Sequence, residues 1–312
     1  MPTTRRVLPA IVAAFPLILA SAVRSDEGPP SLGSRITPLI RAHKGVVAVA
    51  VKNLDTGELF SYHENDPMPT ASLIKFPVMV EAYRQAAVGR LDLKGPVTLK
   101  EEDKVPGSGL LSNHFSAGAT FPLIDAVHLM IVFSDNTATN LVLDKIGLKS
   151  TAETMEKLGY PDTKIHSKVF HRETSVFPDR SVRFGLGSTT AAEMVRLSEA
   201  LWKKELVSPE ASSAMIKHLR ACDDKDKFPR FLPAGAKLVF KTGSVDASKT
   251  AAGIIECGRG PVAVCVLTDK NEDQRWVADN AGNRLCAEVA REVFAHFRTP
   301  DGHDAKSGKG QD

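Results

Sequence analysis

Ser72-Leu73-Ile74-Lys75 opens the run SLIKFPVMVEAYRQ (residues 72–85), and the reading of these four residues decides the rest of the chain. Apolar positions in the run recur at helical spacing, which predicts a helix with Ser72 at its N-terminal end. One helical turn sets residues i and i+3 side by side, so the Lys75 amine can reach the Ser72 hydroxyl. At a helix start, the dipole and the free backbone N–H groups also favour a developing negative charge. A serine beside a basic amine is one way to make an activated nucleophile. The pattern alone is weak. A serine three residues before a lysine arises about once in 300 residues by chance, and an N-cap serine with a surface lysine has the same spacing.

Two further motifs give it weight. Ser134-Asp135-Asn136 follows FPLIDAVHLMIVF, a run apolar nearly all round that predicts a helix in the middle of a helical block. All three residue types favour helix caps, so a capping loop is the simple reading. Lys241-Thr242-Gly243-Ser244 ends the β-rich run AKLVF. There an ammonium, a hydroxyl and strand-edge N–H groups could hold a carboxylate or an oxyanion. The three motifs come in this order, 62 and then 107 residues apart, at a helix start, an interhelical loop and a strand end.

The surrounding pattern is strands, then helices, then strands. A helix at Ser31–His43 precedes VVAVAVKNL and GELFSYH, which the turn residues Asp55-Thr56-Gly57 join into a hairpin over 46–63. Ser150 with Glu153 reads as a capping box opening TAETMEKLG. TTAAEMVRLSEALWKKEL and SPEASSAMIKHLR are amphipathic helices, the second with Ser208 as N-cap and Pro209 in its first turn. AKLVFKTG, TAAGIIECG and PVAVCVLTD are strands, and a helix over about 278–297 follows. Strands from the two ends of the chain are expected to pair in one sheet, with the helical block inserted between them.

Composition is ordinary, with 43% hydrophobic and 25% charged residues. Residues 1–22 combine Arg5 and Arg6 with the apolar run Val7–Ala22, the layout of a secretory signal. Periplasmic or secreted location is therefore expected, with an uncleaved anchor as the alternative. Without those residues the formal net charge of +3 falls to +1, and nothing points to a nucleic-acid partner. Residues 299–312 read as a disordered tail. Cys222, Cys257, Cys265 and Cys286 have no CxxC spacing, and the choice between buried thiols and one disulfide stays open. Nine histidines include no HExxH spacing, and His114 and His128 read as ordinary loop and helix residues.

Taken together, the three motifs resemble those of the penicillin-recognising serine enzymes, and within them the class A β-lactamases. The resemblance covers about residues 30–298 and includes the Asp55-Thr56-Gly57 hairpin. It implies an α/β (α+β) fold with a five-stranded antiparallel sheet flanked by helices (30–70 and 235–298) and an all-helical part (71–234). Ser72 would attack an amide carbonyl and form an acyl-enzyme, and Lys75 would hold or accept its proton. Ser134 would relay a proton to the leaving nitrogen, and Asn136 would bind the substrate's side-chain amide. Lys241, Thr242 and Ser244 would hold the substrate carboxylate beside Gly243, with the Ser72 and Ser244 N–H groups as the oxyanion hole. No cofactor or metal is implied. A monomer acting on a small β-lactam, or on a cell-wall peptide as a D,D-carboxypeptidase or endopeptidase, is expected; a β-lactam-binding module without turnover is the third reading.

The match has departures. Where class A enzymes carry an arginine one strand beyond the KTG motif, this chain has only Lys249, read as lying on the turn, and Ala252. Leu110 and Leu111 stand where many members present an aromatic. The family's deacylating glutamate has one candidate, Glu173 in FHRETSVFPDRSVRFG (170–185), with Phe177 in place of an asparagine. The competing reading pairs Glu173 with Arg172, Arg180 or Arg183.

Overall fold

Five β-rich runs pair into one antiparallel sheet in a computed structural model that describes residues 1–3 and 30–299. Nearly all of the expected signal segment, and all of the expected tail but Thr299, lie outside the described residues. The strands are β1 (Val46–Asn53), β2 (Leu59–Tyr62), β3 (Leu238–Val245), β4 (Ser248–Cys257) and β5 (Gly260–Asp269). Their spatial order is β2-β1-β5-β4-β3, so β1 from one end of the chain sits beside β5 from the other, with Val49 opposite Val266.

Both faces of this sheet are covered, which explains why its strands are apolar almost without interruption. On one face Val47, Val49, Val51, Val262, Val264 and Val266 pack against α1 (Leu32–Ala42) and the C-terminal helix Ala281–Phe297. The opposite face carries small side chains, Ala48, Ala50, Ala252, Ala263 and Cys265, under the helical layer. Large residues would hold that layer away; alanines let it settle onto the sheet.

The helical layer is built around α2 (Lys75–Ala87), whose residues from Lys75 to Tyr83 are all buried. Packed on it are α3 (Leu123–Val132), α4 (Asn136–Ile146) and α5 (Leu148–Lys157). α6 (Ala191–Trp202) lies across the sheet, and α7 (Pro209–Arg220) joins α3 to β3; the C-terminal helix is α8. Ser31, Asp135, Thr190, Ser208 and Asn280 are side-chain N-caps, accepting first-turn N–H groups.

Ser150 corrects the sequence reading. Gly147, at φ +82°, ends α4 and starts α5, so Ser150 already lies inside the first turn of α5. Its hydroxyl donates back to the carbonyls of Ile146 (2.6 Å) and Gly147 (2.8 Å) instead of capping. Phe121 and Pro122 belong to a short strand paired with Pro96–Thr98, and α3 begins only at Leu123. All four cysteines are free thiols. Cys257 faces Gly260 across the ladder and Cys265 faces Ala252, so the two are out of register with each other.

Gly253 is where β3 and β4 draw closest. A Cβ there would stand 2.1 Å from the Val239 carbonyl oxygen and 2.6 Å from the Phe240 Cα. Gly253→Ala must therefore push β3 outward, at a cost of about 3 kcal/mol, the upper end of overpacking. The expected result is a lower urea midpoint with an unchanged m-value.

Candidate active site

The Ser72 turn is fixed from three sides. Ser72 lies on a 3₁₀ turn, Ala71–Ile74, that runs directly into α2. The Thr70 N–H before it donates to the Gly187 carbonyl (3.0 Å), and the Thr70 carbonyl accepts from the Thr250 hydroxyl (2.8 Å). Strand β3 presses against the same turn: a Cβ on Gly243 would meet the Thr70 carbonyl oxygen at 2.4 Å and the Leu73 nitrogen at 2.8 Å. The glycine of the KTG motif is thus what lets strand and turn touch. Ala71 adopts φ +46° and Ser134 φ +54°, a region that costs L-residues about 1 kcal/mol or more.

Lys75 and Lys241 converge on Ser134. Lys75 is fully buried, and its ammonium donates to the Ser134 carbonyl (2.6 Å), the Asn136 Oδ1 (2.8 Å) and the Ser134 hydroxyl (3.3 Å). Lys241, 1% exposed, donates to the same hydroxyl (3.2 Å) and to the Thr242 carbonyl (2.8 Å). Burial, and then the Lys241 charge, hold the Lys75 pKa well below its ordinary value, against an opposing pull from Asp135. Burial lowers the Lys241 pKa as well, while Cys222 and Asp224 pull it back up. Ser72 is half-buried, and among the described residues its hydroxyl makes no hydrogen bond to Lys75, which is turned to Ser134 and Asn136.

Asp135 anchors the loop that presents Ser134 and Asn136. One carboxylate oxygen caps α4 at the Ala138 N–H (2.8 Å), and the other accepts the N–H groups of Leu110 (2.6 Å) and Leu111 (2.9 Å). Asn136 donates to the Pro106 carbonyl (3.0 Å), so loop 105–111 is tied to the SDN turn at both ends. Leu111, read as standing where many members present an aromatic, is fully buried and packs in the helical core. Lys249 is also corrected. It lies on β4 opposite Ser244, 1% exposed, donating to the Val245 carbonyl (2.6 Å) with its ammonium 4.7 Å from the Trp276 ring.

The loop after the SDN region reaches the site through an apolar pair. Asn140, one turn into α4, accepts the Val169 N–H (2.8 Å) and donates to the Val169 carbonyl (3.0 Å). Phe170 follows at φ +61° and is 62% exposed. Its ring stands over Gly107, where a Cβ would lie 3.4 Å from the ring and 2.7 Å from the Asn136 Nδ2. Glu173 lies farther along, on the 3₁₀ turn Arg172–Thr174, with its side chain 71% exposed and paired to His171 (2.9 Å). Its own backbone N–H and His171 hold its pKa below the ordinary carboxylate value, the opposite of a desolvated base.

The expected arginine partners of Glu173 are otherwise placed. Arg180 pairs with Asp162 (3.2 Å), and the nearer His171 imidazole takes the glutamate. Phe177 packs edge-on against His166, and Ser175 is bonded to Ser181 (2.5 Å). The structure therefore joins Lys75, Ser134, Asn136 and Lys241, sets Ser72 and Gly243 against them, and leaves Glu173 outside their hydrogen bonds.

Two residues escaped the sequence reading. Asn140 had a signal, since it stands one helical turn after Asn136 in SDNTATN. Asp224 had none, being one charge in the run DDKDK; it lies beside Lys241 and Thr242.

Residues 31–297 match the model of the Beta-lactamase enzyme family. Beta-lactamase BRO-1 of Moraxella catarrhalis is 23% identical over 246 residues, 77% of this chain and 76% of that protein. A solved beta-lactamase from Sphaerobacter thermophilus superposes with a TM-score of 0.75 at 27% identity, covering 85% of this chain and 97% of that one. PBP-A superposes with a TM-score of 0.74 at 22% identity, over 85% of this chain and 95% of its own, a likeness of fold. The family model spans nearly all of the described fold and every residue that converges on Ser134: the chain belongs to the beta-lactamase enzyme family and is a β-lactamase-like hydrolase.

Proposed function

We propose that the protein opens β-lactam rings by acylating Ser72, and that it releases the resulting ester slowly. The observation that carries this reading is the Ser134 hydroxyl held between two buried lysine amines, beside the Ser72 turn. A neutral Lys75 amine has a lone pair to accept the Ser72 proton as Oγ attacks the ring carbonyl. The oxyanion forms against the backbone N–H groups of Ser72 and Ser244, contacts worth about 3–4 kcal/mol per donor in related chemistry. When the ring C–N bond breaks, Ser134 gives its proton to the leaving nitrogen and regains one from the lysine pair.

Slow release follows from the loop. Water attacking the ester needs a base at the acyl carbonyl, yet the loop clamps Val169 to Asn140 and sets Phe170 over Gly107 while Glu173 faces solvent. A mutant of PBP-A, which shares the fold, was solved as an acyl-enzyme complex with penicillin G, so this architecture can hold such an ester. The exposure of Glu173 also favours a second reading, a D,D-peptidase that β-lactams block. We further assign the protein to the periplasm or exterior, on the composition of residues 1–22.

Each assignment has its own check. With a chromogenic cephalosporin, one adduct per chain should form quickly at Ser72, followed by slow turnover; Ser72→Ala should form none, and an unmodified wild-type chain would sink the reading. Glu173→Gln should leave turnover within about twofold, whereas a trapped adduct would make Glu173 the base. Release of D-alanine from a D-Ala-D-Ala peptide faster than ring opening would favour the peptidase. Because Lys75 must be neutral to act, and its pKa lies well below 10.5, the acylation rate should rise with pH and level off before that value. Lys75→Arg, protonated throughout, should lose about 10³-fold. Expressed in a bacterium, the chain should be recovered outside the cytoplasm with an N-terminus near Val23, as intact mass would show.

A further inference from the structure

The end of the cleft where the leaving half of the substrate must lie is not purely cationic. A cavity of about 230 Å³ is lined by Ser134, Lys241 and Thr242 together with Cys222, Asp223 and Asp224. The last three follow α7, so their wall belongs to the connection between the helical layer and β3. Asp224 is not a solvated surface carboxylate. It accepts the N–H groups of Asp226 (2.9 Å) and Lys227 (3.1 Å) through one oxygen and the buried Lys227 ammonium (2.8 Å) through the other. Burial works against its ionisation, but the Lys227 charge and hydrogen bonds from Lys227 and the Asp226 backbone keep its pKa below the ordinary value.

The chemistry of this wall limits what Lys241 can do. A carboxylate on the substrate would have to approach the ammonium of Lys241 within the field of a second carboxylate. The Thr242 side chain, expected to help hold the substrate acid, lines the same cavity as Asp224. Lys227 adds a cation nearby, but its charge is matched by Asp224 in a direct pair.

We propose that Asp224 is a specificity-determining residue: paired with Lys227, it weakens the carboxylate subsite at Lys241 and Thr242, so that substrates neutral at this position are handled as well as acidic ones. The proposal rests on the reading of Ser72 as the acylated nucleophile. It predicts opposite effects from the two partners. Asp224→Asn keeps the acceptor for the Asp226 and Lys227 N–H groups, removes the anion and leaves Lys227 uncompensated. Lys227→Gln leaves Asp224 uncompensated.

The test compares one cephalosporin with a free ring carboxylate and its methyl ester, measuring acylation at Ser72 as rate against concentration. For Asp224→Asn the apparent affinity for the acid should rise about tenfold, about 1.4 kcal/mol, with the limiting rate nearly unchanged. The methyl ester should move less than twofold. For Lys227→Gln the affinity for the acid should fall by a similar factor, again with the ester nearly still. A packing defect would instead shift acid and ester together, in the same direction for both variants; that result, or no shift in either, overturns the proposal. Should Asp224→Asn not fold, the acid-to-ester ratio of Lys227→Gln decides alone. Failure of the wild type to be acylated by either compound would be a failure of the Ser72 reading, and is separable from these outcomes.

Discussion

Everything at the cleft depends on one hydroxyl shared by two buried amines. Lys75 and Lys241 are both almost wholly withdrawn from water, and the acceptors they reach are neutral: carbonyls, an amide and the Ser134 hydroxyl. Two like charges so placed repel each other and lose their hydration, and a carboxylate in contact would be the ordinary remedy. Here burial and mutual repulsion lower the Lys75 pKa, loosening its hold on the proton. The same physics that makes the pair expensive is what shifts Lys75 away from its ordinary value. Stability and reactivity are drawn from one arrangement.

Such an arrangement persists only if the surroundings hold it rigidly. Ser134 sits at φ +54° because Asp135, on its C-terminal side, is committed to three backbone N–H groups on two segments. Ala71 sits at φ +46° because the Thr70 peptide is bonded to Gly187 on one side and Thr250 on the other. Neither strained residue is a glycine, so the neighbouring hydrogen bonds over-determine both conformations. Behind them, the alanine-lined sheet face and the buried α2 bring β3 and the nucleophile turn into contact through Gly243.

Much of this was legible in the sequence because it was carried by period and by spacing. The valine-rich strands, the apolar α3 and the cap at Ser208 each follow from local chemistry, and the pairing of strands from the two chain ends follows from which runs are strands. Ser72, Lys75, Ser134 and Lys241 were legible because their motifs fall on predicted element ends. What failed was what depends on tertiary placement. Ser150 read as a cap because Gly147 could not be known to end one helix and begin the next. Lys249 read as a turn residue because strand length sets burial, and β4 starts one residue earlier, at Ser248. Asp224 was invisible because nothing in DDKDK separates a carboxylate facing a cleft from one facing solvent.

The loop at 170–185 shows why a motif cannot be completed by its nearest matching letter. Glu173 is the only glutamate there, so sequence alone had to choose it. Geometry chooses by clamps instead: Asn140 holds Val169 by both backbone groups, and that fixes which part of the loop meets the SDN turn. Four residues farther on, the Glu173 side chain has left that contact and turned to His171 and water. A carboxylate in solvent, with its pKa lowered, makes a poor general base at a carbonyl it does not face. The Ser134 side of this site is therefore strained and tightly bonded, while the loop side is apolar at Val169 and Phe170, and the two can diverge because Asp135 and Asn140 tie them to α4 by separate hydrogen bonds.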